Sequence, residues 1–266
     1  MTIKEFCFDE EFKKRGFLSE HIKVIEDQIE SCFQKEVSLL RDINEVISKI
    51  VFSAADSVNG VSTLDPRVIA VVSGFRTLGN LQGAIILFEK GMAAESKTLV
   101  RCIYENAFCI GALVKDSSRF IDMLASDNRA SKHGIFNNIS KEMLSKDQNE
   151  RLSAAILSIE KGKHLEIKKI ADLSGLKDAY LYYKHLSNDS NHYSATAISK
   201  HVLTEGTHWT SFVWGVSHTD DMEDAAFHCS HASLTFLLVL SKILDVAPFQ
   251  DEIDHLLSKF TTIRTS

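Results

Sequence analysis

Proline is almost absent from this chain: Pro66 and Pro248 are the only two in 266 residues, and glycine is modest at 12. Scarcity of both breakers excludes a sandwich or barrel of many short strands and turns, and it favours long helices. Paired cysteine is missing too. Cys7, Cys32, Cys102, Cys109 and Cys229 form no C-x-x-C pair and are odd in number, which fits reduced thiols in a cytosolic protein. The first ten residues carry acids and lack the continuous apolar stretch of a signal peptide. No window reads as an uncharged run long enough to span a bilayer, so the expectation is a cytoplasmic protein with no membrane partner. Positive charge is not in excess either. A net charge of −6 excludes nonspecific nucleic-acid binding through overall charge, and the local run Lys161–Lys169 reads as a solvated helix end.

What is present is helical periodicity. After Ser19-Glu20, apolar residues recur at three- and four-residue steps from Ile22 through Ile25, Ile29 and Phe33 to Ile47, and this stripe predicts one long helix ended by Asn59-Gly60. Its stripe serves as the inner face of a bundle or as a dimerisation seam. Asp65-Pro66 is a restart signal, a capping side chain followed by proline at the first helical position. The second helix runs to Lys90, Gly91 ends it, and a third over 93–115 makes an antiparallel hairpin with it. Further helices are expected near 118–143, 147–162, 166–173, 177–187 and 222–245, with a last one carrying Ile253, Leu256, Leu257 and Phe260. His201–His218 is the least regular stretch, and Thr210–Trp214 reads as possible strand. The fold class is therefore all-α: one domain over 1–266, a multi-helix bundle built on a long N-terminal helix (1–60) and a central antiparallel hairpin. It has a core over 65–245, a C-terminal helix over 249–262 and no substantial sheet.

Two features carry candidate chemistry. From Thr98 to Val114 the third helix is apolar on almost every face, and Arg101 and Glu105 are its only charges. Four residues apart, they share a face, and buried charges must hold each other or hold something else. Arginine before glutamate is the less favoured order for a purely helical pair. The pair reads either as a structural salt bridge or as the lining of a polar site, with Arg101 on an anion and Glu105 orienting a histidine or metal.

The second feature is the run from Tyr182 to Ser194. Two histidines, three serines, two asparagines and an aspartate crowd into His185–Ser194. His192, with Ser187, Asn188, Asp189 and Ser194 around it, offers a general acid or base with polar neighbours. The plainer reading is a polar loop whose side chains cap the next helix. No G-x-S-x-G motif is present, which weighs against a serine hydrolase. Eight of the eleven histidines lie at or after position 185. Among them Asp224, His228 and His231 fall at i, i+4 and i+7, one helical face that could ligate a divalent metal, although no second helix offers a matching E-x-x-H. Trp209, Phe212 and Trp214 read as core before they read as a base-stacking surface.

Gly91-x-x-x-Glu95, leading to Leu99-x-Arg101-x-x-x-Glu105 and then Tyr183-x-x-Leu-Ser187-x-x-x-x-His192, resembles a widespread bacterial family of uncharacterised helical proteins known only as a domain of unknown function. The likeness spans roughly residues 65 to 245 and implies that Arg101, Glu105, Ser187 and His192 converge. Such proteins are distantly similar to the HEPN group, helical bundles that include metal-independent ribonucleases of toxin and antiphage systems. That group's arginine-then-histidine spacing on one helix has no counterpart here, since Arg129 and His133 are one residue too close. An equivalent site has to be assembled across helices.

The resulting expectation is a HEPN-like nuclease or nucleotide-processing effector of bacterial defence. Arg101, Glu105 and His192 are its catalytic candidates, and Ser187, Asn188, Tyr183 and Ser194 its substrate contacts. It needs no cofactor, acts on RNA or a nucleotide, and forms a homodimer. The alternatives are a non-catalytic interaction module with a structural polar core, and a metal-dependent hydrolase using Asp224, His228 and His231.

Overall fold

A computed structural model of the chain describes residues 10–139, 144–158, 160–187, 195–199, 202–212 and 218–265. Its elements in order are α1 (Glu10–Arg15), a short 3-10 turn, α2 (Ile22–Cys32), α3 (Gln34–Ser57), α4 (Pro66–Glu89), α5 (Ala93–Lys115) and α6 (Ser117–Asn137). They are followed by α7 (Lys146–Ser158), α8 (Ile167–Ser174), α9 (Lys177–Leu186), α10 (Ala195–Ser199), a hairpin of β1 (Val202–Glu205) and β2 (His208–Phe212), α11 (Thr219–Leu240) and α12 (Gln250–Thr265). The all-helical class stands. The hairpin is a local antiparallel pair turned at Gly206 and adds no sheet to the core.

The punctuation acts as the side chains require. Asp65 accepts the Arg67 backbone N–H ahead of Pro66, and Asp116 does the same for Arg119 at the start of α6. Ser145 and Gln148 form a reciprocal capping box before α7. The single N-terminal helix is a misreading. It breaks at Phe33, which leaves helical geometry at φ −123°, and its ring then packs edge-on against Phe88 5.5 Å away. Above the break, α2 joins a small core with Phe12, Phe88 and Met222; below it, α3 joins the main core. The stripe Ile25, Ile29, Val37, Leu40, Ile43 and Ile47 is buried inside this chain, so it is no seam for a partner.

Helix α5 is the centre of the bundle, with α4, α8 and α11 packed around it. A Cβ on Gly111 would come within 2.7 Å of Ser174, so glycine there lets α8 approach closely. Gly175, at φ 78°, then turns the chain from α8 into α9 and sets α9 across α5. This placement brings the α9 side chains onto the polar face of α5. Helix α4 corrects a second expectation: by length and composition it is apolar enough to cross a membrane, but its inner face is packed within the bundle.

Candidate functional site

Lys97, Arg101 and Glu105 succeed one another at four-residue steps and so share one face of α5. Helix α9 meets this face near Arg101 and α11 meets it near Lys97, giving two adjoining polar clusters.

In the first, Arg101 Nη2 lies 3.2 Å from Glu105 Oε1 and donates to the Tyr183 hydroxyl at 3.1 Å. The Tyr183 hydroxyl in turn donates to the same Glu105 oxygen at 3.1 Å. The guanidinium also lies over the Tyr183 ring, 5.2 Å from its centroid. Tyr183 is held in place by Phe108, edge-on at 5.8 Å, and by Tyr180, stacked at 5.6 Å. Burial pushes the Tyr183 phenol up against the pull of Arg101, so it stays protonated and keeps its donor role. Burial works against the Arg101 charge, but Tyr183 and Glu105 outweigh it and raise the guanidinium further. The pair is only partly buried, at 22% and 25% exposure. Both of these polar contacts of the guanidinium, to Glu105 and to Tyr183, engage Nη2. Arg101 Nε is buried, and no acceptor faces it among the described residues.

The second cluster sets a buried cation against carboxylates that are about one-third exposed. Lys97 is 1% exposed, and its ammonium lies 3.0 Å from Asp224 Oδ2 and 3.6 Å from Asp221. The other Asp224 oxygen is 3.2 Å from His228 Nε2, and His185 stacks on His228 at 5.6 Å, with its Nε2 4.0 Å from Asp224. Burial alone would raise the Asp224 carboxyl, but hydrogen bonds from His228 and Lys97 prevail and hold it well below the usual carboxylate range. His228 is buried and spends Nε2 on that carboxylate, and its Nδ1 has no hydrogen-bond partner among the described residues. His231 is occupied elsewhere. Its Nδ1 sits 2.8 Å from the Tyr104 hydroxyl, and burial, helped by His228, lowers its pKa.

The metal set expected on α11 is therefore not one set. Asp224 and His228 come together with His185, their ligand atoms within 4.8 Å of one another, while His231 turns to Tyr104. A zinc ion would need the imidazole lone pairs and this carboxylate together. Lys97 already supplies a positive charge 3.0 Å from that carboxylate, so a cation would compete with a buried ammonium. Thiolate chemistry is disfavoured as well: burial pushes Cys109 and Cys229 up to about 12 and raises Cys102.

Of the expected site residues, Arg101, Glu105 and Tyr183 meet, with Tyr183 the bridge between the two charges. Ser187 lies at the end of α9, buried, and its hydroxyl donates back to the Tyr183 carbonyl at 2.9 Å, closing the helix. Asn188, His192 and Ser194 lie outside the described residues. Two participants were missed. Lys97 stands one turn before Arg101, and reading the helix from Ala93 would have exposed it as a third charge on the same face. His185 is not among the candidates named from the sequence, yet it completes the Asp224–His228 group.

A family of unknown function, DUF5677, matches residues 75–208, half of the chain, and the chain belongs to it. The match ends short of the expected boundary near 245: it takes in the Arg101, Glu105 and Tyr183 cluster and His192 but not α11. No curated protein and no solved structure matches the chain.

Proposed function

We propose that this DUF5677 chain uses the α5–α9 junction as a metal-independent acid–base site on a phosphate ester, acting on RNA or a nucleotide as a HEPN-like effector of bacterial defence. The observation that carries the reading is Arg101. A guanidinium held through Nη2, with a buried Nε that has no acceptor among the described residues, is organised to receive an anion. In this scheme Arg101 stabilises charge on the phosphate oxygens, and Tyr183 and Glu105 hold its plane. His192, five residues beyond Ser187 in sequence, relays the proton. Lys97 and Asp224 support the floor of the site and take no part in the chemistry.

The test is cleavage of RNA oligonucleotides and nucleotides by the purified full chain in EDTA, alongside growth arrest on expression. Loss of both in Arg101→Ala and in His192→Ala, with folding intact, is the expected result. If both variants cleave and arrest growth like the parent, the scheme fails. Activity abolished by EDTA and restored by zinc would instead move the chemistry to His185, Asp224 and His228.

A further inference from the structure

Helix α4 contains three glycines in its interior, and the chain's own packing accounts for two. A Cβ on Gly74 would run into the Val51 side chain, and one on Gly83 would come 2.8 Å from Leu99. A Cβ on Gly79 would meet nothing within 4 Å among the described residues. Glycine is disfavoured in a helix interior relative to alanine, so an exposed one facing open space weakens the monomer without return.

The surface around Gly79 is apolar. Val72, Phe75 and Ile86 on α4 are 61%, 42% and 54% exposed, and Phe52 of α3, 60% exposed, meets Phe75 edge-on at 5.2 Å. At about 150–250 Å² per aromatic side chain, these residues leave an apolar patch on the order of a few hundred Å². That is a reasonable centre for a standard interface of about 800 Å² per partner.

The order of these residues identifies the occupant. Val72 stands seven residues before Gly79 and Ile86 seven after; Arg76 stands three before and Gln82 three after. A twofold axis through Gly79 sets Val72 against the partner's Ile86. It also sets Arg76, the one charge among the exposed residues from Val72 to Ile86, against the partner's uncharged Gln82. Such a surface is self-complementary, as an isologous contact must be. We propose that this chain forms a homodimer through α4, the two copies antiparallel and crossing at Gly79, where the missing side chain lets the backbones approach. This inference is independent of the proposed chemistry.

Sedimentation of the full chain at micromolar concentration should give a dimer, and Phe75→Glu should give a monomer with unchanged circular dichroism. Oxidative crosslinking, judged against the parent with its five cysteines, then reads the axis. Gly79→Cys should crosslink to itself. Val72→Cys and Ile86→Cys should each crosslink weakly alone and strongly when mixed. A parent that stays monomeric, whether free or partitioned into phosphatidylcholine vesicles, overturns the proposal. So does a dimer that survives Phe75→Glu, or strong crosslinking of Val72→Cys alone with none for Gly79→Cys.

Discussion

Lys97 and Arg101 stand one turn apart on α5, each beside a carboxylate, and they differ mainly in what surrounds them. Lys97 is sealed, and its ammonium is met by Asp224 and Asp221 from α11. Arg101 is partly open, and its Nε has no acceptor among the described residues. The first arrangement is what a buried charge needs merely to be tolerated. The second leaves a buried donor with no acceptor among the described residues, as a charge awaiting a ligand would. Along a single helix face, burial and saturation separate a structural charge from a candidate binding charge, although both belong to carboxylate pairs.

The comparison is broken most easily at Asp224. Asp224→Ala removes the shorter of the two carboxylate contacts to the buried Lys97 ammonium, and should cost about 3–5 kcal/mol in urea denaturation. Lys97→Met removes the charge with the volume nearly kept and should cost less than about 1.5 kcal/mol. Equal, small losses for both would mean that the cluster is not a sealed ion pair. At the open end, Arg101→Lys keeps the charge but loses the planar fork. On the proposed function it should lower single-turnover cleavage about 100- to 1000-fold, with stability within about 1 kcal/mol of the parent. A variant that unfolds instead would place Arg101 in the same structural class as Lys97.

Tyr183→Phe tests the bridge itself. It removes one hydroxyl that both accepts from Arg101 and donates to Glu105, and should cost about 0.5–1.5 kcal/mol. The smallest effect is in pH. His231 has its pKa depressed below the ordinary 6.5, so the folded state disfavours the proton. Its contribution is full above pH 6.5 and is lost as pH falls through the depressed value. Asp224, also depressed, contributes above the ordinary carboxylate value of 3.8 and loses that contribution only in stronger acid. Melting temperature should therefore fall in two separated acid steps. His231→Gln should remove the upper step and Asp224→Asn the lower.

Much of the fold was legible because its signals are local. Asp65-Pro66, Asp116, Ser145 and Gly175 mark boundaries by satisfying or terminating backbone groups within a few residues, whatever the rest of the chain does. The break at Phe33 was not legible. Neither proline nor glycine marks it, the apolar stripe runs straight through, and the Phe33 ring there packs on Phe88, fifty-five residues away in sequence. In the site, the four-residue step from Arg101 to Glu105 was visible in the helix itself. That Tyr183 bridges them depends on where α9 lands.

The sequence by itself determined the helical class, most helix boundaries and the shared face of Lys97, Arg101 and Glu105, because capping, turn geometry and helical period act over one or two turns. It also placed Val72, Gly79 and Ile86 on one stripe of α4. Only the tertiary structure decided which charges are sealed and which remain open, and that His185 rather than His231 joins Asp224 and His228. Burial and pairing depend on distances between α5, α9 and α11, and no periodicity within one helix encodes the approach of another.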